Sequence, residues 1–209
     1  MIGIYNYTVI LTYIGVVSAL VGIGFAAGGD APAAVVCLMV SGFCDLFDGT
    51  IARTMQRDRL EKKFGIQIDS LADLICFGVL PVCIGRAIGL DRFFEMLPMT
   101  LYVLAALIRL AYYNVTEDEL QNENVKRTHY DGLPVTTVAL LIPLLYVFRP
   151  YTGGAFRYLY LGWMLVIACL FLTRIKVRKL GMFGMCMAVV IGLGVLALLI
   201  VGWNYEIIF

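Results

Sequence analysis

With 209 residues, 61% hydrophobic and only 15% charged, and a mean hydropathy of +0.89, the chain is far too apolar for a soluble domain of its size. A net charge of +1 provides no field that would draw it to nucleic acid. The six cysteines lie inside apolar segments without CxxC spacing and read as reduced core residues, not as a disulfide framework or a zinc site. These features predict an all-α, polytopic membrane bundle forming one domain over residues 1–209.

In chain order, Met1 to Tyr7 has neither a basic n-region nor a small-residue cleavage site, so the first apolar segment is expected to be retained. Apolar stretches at roughly 8–27, 32–52, 66–90, 95–114, 133–149, 156–173 and 181–203 each approach the ~20 residues that cross a bilayer. They predict seven spans, within a range of about six to eight, because Pro81 in the third and Pro143 in the short fifth could break a helix. If residues 53–65, 115–132 and 174–180 share one side, that side carries eleven Lys and Arg, and the other only Arg86, Arg92, Arg149 and Arg157. The positive-inside rule then places the N-terminus and the loop after the second span in the cytoplasm. Thr12, in the first span, is a hydroxyl whose default partner is its own helix backbone.

The most informative stretch runs from Asp45 to Asp73. It reads Asp45-x2-Asp48-Gly49-x2-Ala52-Arg53, then eleven residues, then Gly65-x3-Asp69-x3-Asp73. On helices, Asp45, Asp48 and Ala52 share a stripe, as do Gly65, Asp69 and Asp73. An antiparallel hairpin joined by residues 54–64 would turn the two stripes toward each other and converge four carboxylates. Clustered anions call for hard divalent cations, and an all-oxygen donor set suits magnesium, manganese or calcium. Two ions about 4 Å apart would clamp a diphosphate. Gly49 and Ala52 leave room for a ligand against the helix, and Arg53 offers a fork for phosphate oxygens. A plainer alternative pairs the acids with Arg53, Arg57, Arg59, Lys62 and Lys63 at the membrane surface, and a divalent-cation pathway of a transporter is another. Neither explains the small residues and Gly65 at fixed turns.

Further along, Arg109 lies within a helical run, five residues before Asn114, and an arginine at that depth requires a partner. It could bind a substrate carboxylate or phosphate, neutralise an acid of the cluster, or snorkel to the surface. Asn114 is a candidate orienting amide. His129, the only histidine, reads as a solvated loop residue, and Arg174 to Lys179 as a topogenic loop. The C-terminal spans show no readable chemistry.

The fixed positions from Asp45 to Asp73 resemble the defining motif of the CDP-alcohol phosphotransferases, membrane enzymes of phospholipid synthesis. Two departures stand out: the family often has eight residues between the Arg and the Gly where this chain has eleven, and Lys62 stands where a small hydroxyl residue is common. Asp69-Ser70-Leu71-Ala72-Asp73, Phe77-Gly78-Val79-Leu80-Pro81, Arg109 to Val115 and Gly132-Leu133-Pro134-Val135 are similar to the bacterial and archaeal phosphatidylserine synthase branch.

The resemblance implies metal-dependent transfer of a phosphatidyl group from CDP-diacylglycerol to L-serine, releasing CMP, with glycerol 3-phosphate or inositol phosphate as alternative acceptors. It implies that Asp45, Asp48, Asp69 and Asp73 hold two ions, Mg2+ or Mn2+ with Ca2+ as an alternative, and that Asp73 is the general base. Thr12, Gly49, Ala52, Arg53 and Gly65 would contact CDP-diacylglycerol, and Arg109 and Asn114 the serine or its phosphate. A homodimer in a prokaryotic cytoplasmic membrane, its site facing the cytoplasm, is expected on the same basis. The lipid is expected to enter between the second and third spans.

Overall fold

A computed structural model describes residues 9–52, 58–122, 129–174, 176–178 and 182–204. Helix α1 (Ile10–Ala27) turns at Gly28–Gly29 into α2 (Ala31–Ala52). The buried face of α1 is made of Thr12, Gly15, Ala19, Gly22 and Ala26, all small, while Ile10, Ile14, Val17 and Val21 point outward. Between helices in lipid, small residues let backbones approach, and large apolar groups gain nothing from being inside. Hydroxyls complete the contact: Ser41 Oγ donates to the Gly15 carbonyl at 2.9 Å and Ser18 Oγ to that of Cys37 at 3.0 Å.

Helix α3 (Arg59–Asp73) begins before the apolar stretch expected at 66–90. Its start is set by a capping box in which the Asp58 N–H donates to the Glu61 carboxylate at 3.0 Å. The rod continues through a π-helical turn (Leu74–Val79) into α4 (Leu80–Ala87). Pro81 has no N–H for the Phe77 carbonyl one turn before it, and an unpaired carbonyl at bilayer depth is costly. The Tyr102 hydroxyl, from α5 (Phe93–Asn122), donates to that oxygen at 2.5 Å. Pro81 therefore does not break the third span.

Of the seven expected spans, six are helices long and apolar enough to cross a membrane among the described residues. The expected span at 133–149 is instead a shorter apolar stretch, Val135–Tyr146, a 3-10 turn (Val135–Thr137) followed by α6 (Val138–Tyr146). After a short α7 (Arg149–Thr152) comes α8 (Phe156–Leu172), and α9 is Met182–Asn204. The ends of the short stretch lie beside the two ends of α8: Tyr146 meets Phe156 edge-on at 5.5 Å between ring centres, and the Leu133 N–H reaches the Leu170 carbonyl at 3.4 Å. Two three-residue strands, β1 (His129–Asp131) and β2 (Lys176–Arg178), pair antiparallel with Tyr130 opposite Val177 and close this end of an otherwise all-α bundle. The cysteines are all free, but only Cys44 and Cys76 are buried; Cys169 and Cys186 are exposed on outward faces, so the expectation of six core cysteines fails there.

Gly132 follows the ribbon with φ +88°, and a Cβ on it would lie 3.1 Å from the Thr173 carbonyl oxygen, 3.2 Å from that of Phe171 and 3.3 Å from Arg109 Nε. Gly132→Ala therefore combines left-handed strain with overpacking, about 2 kcal/mol, and lowers the thermal unfolding midpoint in detergent by about 4–8 °C. Gly153→Ala, with φ +51° but open space around it, incurs backbone strain without overpacking and shifts the midpoint by less.

Candidate active site

The alternating direction of the helices brings the start of α1, the end of α2, the α3 half of the α3–α4 rod and the end of α5 to one end of the bundle. The aspartates meet there. One carboxylate oxygen from each of Asp45, Asp48 and Asp69 lies within 4.8 Å of the other two. Asp45 and Asp73 hydrogen-bond to each other, so all four acids form one cluster. Asp48 is 8% exposed, and the other three are half-buried. The hairpin geometry expected from the spacing is present, although the connection between the helices is shorter than the 54–64 link expected, because α3 begins at Arg59.

A small cavity of about 10 Å³ lies against all four acids, with Thr12, Cys44 and Cys76 also in its wall. Among the described residues that line it, none is basic. Two ionised carboxylates at 4.8 Å repel by about 3–4 kcal/mol at an effective dielectric near 20. An all-oxygen donor set with this spacing fits a hard divalent cation, and Asp45, Asp48 and Asp69 are the residues that could hold one, with Asp73 in contact.

Thr12 reaches across from α1: its Oγ1 donates to Asp48 Oδ2 at 3.2 Å. Asn114 touches α3, where it accepts from Ser70 Oγ at 2.8 Å and donates to Gln67 Oε1 at 3.5 Å. Lys63, Gln67 and Asn114 border a 190 Å³ cavity on this side of α3. Arg109 is 5% exposed, and its Nε donates to the Leu133 carbonyl at 3.4 Å; it is not in the wall of the acidic cavity. Gly49 and Ala52 lie in α2 and Gly65 in α3, whereas Arg53 lies outside the described residues.

A larger, apolar groove of about 350 Å³ runs between α2, α6 and α9, lined by Met39, Gly42, Phe43, Leu140, Gly192 and Leu196 among others. Asp45 lines both this groove and the acidic cavity. Gly42 makes the arrangement feasible, since a Cβ there would fall 2.2 Å from the Ala139 Cβ, so α2 and α6 touch almost backbone to backbone. Sequence reasoning placed the lipid entrance between the second and third spans and gave the C-terminal spans no part in the site. An apolar groove that reaches Asp45 lies between α2, α6 and α9, while α1 and α5 pack beside the α3 rod. No periodic signal could have shown which face of α9 lines the groove, because that helix is apolar on every face.

The family model for CDP-alcohol phosphatidyltransferase matches residues 5–175, and the chain belongs to that family. A "CDP-diacylglycerol--serine O-phosphatidyltransferase" of Saccharomyces cerevisiae is 40% identical over 112 residues, 52% of this chain and 40% of that protein. An "Archaetidylserine synthase" of Methanothermobacter thermautotrophicus is 26% identical over 176 residues, 84% of this chain and 70% of that protein. A "CDP-diacylglycerol--serine O-phosphatidyltransferase" of Mycobacterium leprae is 25% identical over 174 residues, 81% of this chain and 57% of that protein. The chain thus spans less than half of the yeast relative's length and rather more than half of the mycobacterial one's.

The Thr12 contact is open to a direct check. Thr12→Val keeps the shape and removes the donor, and Mn2+ binding followed by electron paramagnetic resonance weakens about 3–10-fold, whereas Thr12→Ser retains the parental affinity.

Proposed function

We propose that this chain transfers the phosphatidyl group of CDP-diacylglycerol to the hydroxyl of L-serine, forming phosphatidylserine and CMP. The observation that carries this reading is that Asp45 belongs to both the acidic cluster and an apolar groove. A substrate with a diphosphate at one end and acyl chains at the other needs those two surfaces joined. The relatives' names supply the acceptor.

On this reading the groove holds the start of an acyl chain and brings the diphosphate against the acids. Asp45, Asp48 and Asp69 hold one or two ions, Mg2+ or Mn2+, with Asp73 contributing. Such ions supply charge neutralisation for the diphosphate and the departing CMP. Thr12 fixes the Asp48 carboxylate, and Arg53 adds a fork for phosphate oxygens. Serine approaches from the side of α3 that carries Asn114, and Arg109, whose Nε bonds the Leu133 carbonyl, is the cation for its carboxylate. An alkanol proton is held too tightly for attack at neutral pH without a base, and Asp73 takes it. The serine oxygen bonds to the lipid-side phosphorus as the bond from that phosphorus to the bridging oxygen breaks. CMP leaves with the electron pair, and Asp73 returns its proton to solvent. No covalent intermediate is required.

The basic links lie at the site's end of the bundle, which by the positive-inside rule makes it the cytoplasmic end. Residence in a prokaryotic cytoplasmic membrane and assembly as a homodimer belong to the same proposal and rest on family resemblance.

The test is CMP release by purified protein in detergent with CDP-diacylglycerol and Mg2+ or Mn2+, comparing L-serine with glycerol 3-phosphate, inositol phosphate and no acceptor. Release that depends on serine and metal, with phosphatidylserine formed, is the expected result. Release driven by another acceptor keeps the site chemistry and overturns the serine assignment. In the same assay Asp73→Asn lowers turnover about 10²–10⁴-fold, while Mn2+ binding falls far less than in Asp48→Asn. Equal loss of both would make Asp73 a metal ligand only.

A further inference from the structure

We propose that Tyr102 is a positioning residue for the acidic site, acting through the π-helical turn that follows Asp73. The proposal rests on the metal-assisted reading above. Asp73 is the last α-helical residue of α3, and the π turn starts at Leu74. A π turn carries one extra residue, so it rotates everything before it relative to everything after it.

The rotation matters because both halves of the rod must face inward. Pro81 and Gly85 are buried after the turn, while Asp69 and Asp73 face the aspartates of α2 before it. Asp73 and Pro81 are eight residues apart, which in an unbroken α-helix leaves them about 80° out of line. One extra residue in the intervening turn removes most of that offset. The wide register is visible in the bonding, since the Leu80 N–H reaches back five residues to the Ile75 carbonyl.

Tyr102 secures this register. Its ring is fully buried, and its hydroxyl occupies the Phe77 carbonyl in the middle of the turn, at 2.5 Å. Pro81 cannot take that carbonyl into an α-helical bond, so the bond from α5 both satisfies the oxygen and fixes the rod's rotation. Helix α5 packs against the turn at Gly78, where a Cβ would meet Ala106 Cβ at an ordinary 3.8 Å and Leu74 Cδ1 of its own rod at 3.0 Å. A second phenol offers a built-in control. Tyr160, equally buried, donates to the Pro81 carbonyl at 2.8 Å, beyond the turn and on the side away from the acids.

The experiment compares Tyr102→Phe, Tyr160→Phe and Asp48→Asn in the full chain in detergent, with Mn2+ affinity read by electron paramagnetic resonance and stability by thermal unfolding. Tyr102→Phe weakens Mn2+ binding about tenfold, the scale of one buried hydrogen bond. Tyr160→Phe lowers the unfolding midpoint comparably but leaves Mn2+ affinity within about twofold, as expected of a site without shared partners. Unchanged affinity in Tyr102→Phe with binding lost in Asp48→Asn overturns the positioning role and leaves the metal reading standing. Equal weakening by both tyrosine variants also overturns it, because loss of stability alone would then account for the effect. Binding that survives in Asp48→Asn overturns the metal reading and this inference with it.

Discussion

Repulsion among four carboxylates gathered at the end of apolar helices is the constraint on which the rest of this bundle depends. Apart from the Asp45–Asp73 hydrogen bond, nothing about the acids draws α2 and α3 together, so the framework must hold them in contact. It does so with uncharged contacts: the small-residue face of α1 on α2, the hydroxyl bonds of Ser18 and Ser41 to facing carbonyls, and the Tyr102 bond to the π turn that follows α3. Packing of this kind has few soft degrees of freedom, so the acids cannot relax apart by sliding. A divalent cation would then enter a site whose repulsion the fold has already absorbed.

Helix periodicity made the core of the site legible before any coordinates. The offsets of three and four residues in Asp45, Asp48, Asp69 and Asp73 translate directly into faces, and an antiparallel hairpin turns those faces toward each other. Contacts between distant segments leave no such trace. Thr12 meets Asp48 across 36 residues and Ser70 meets Asn114 across 44, and neither pairing has a periodic signature. Thr12 was singled out through family resemblance alone. The early start of α3 was hidden because its first turns are polar, although Asp58-x2-Glu61 spells a capping box that marks the boundary. Six of the seven expected spans are full-length helices, and the fifth, 133–149, still joins the two ends of the bundle but with a stretch shorter than an ordinary span.

Pro81 shows how tertiary context reverses a local signal. By itself, proline after an apolar run marks a break in the helix. Here the helix dilates before it, and a side chain from a neighbouring helix takes the freed carbonyl. Arg109 also has to be read in tertiary context: an arginine deep in a helix suggests a substrate anion, and its Nε in addition bonds a backbone carbonyl in the loop that begins the short α6 stretch. That loop cannot hydrogen-bond as a helix or a sheet where it turns at Gly132, so a buried donor nearby satisfies a group that lipid could not.

The shared position of Asp45 also bears on what the site can discriminate. Along α2 the groove extends from Met39 to Leu46, about 10 Å of helix at 1.5 Å per residue. On the proposed reading, that length accommodates only the first several methylenes of an acyl chain, and the remainder lies among ordinary lipids. Methylenes outside the groove leave one apolar medium for another and contribute almost nothing to selection. Recognition must then fall on the polar end, where carboxylates, Thr12 and the Asn114 side of α3 converge. An enzyme built this way would accept the chain lengths its membrane provides and reserve its specificity for the headgroup and the incoming alcohol.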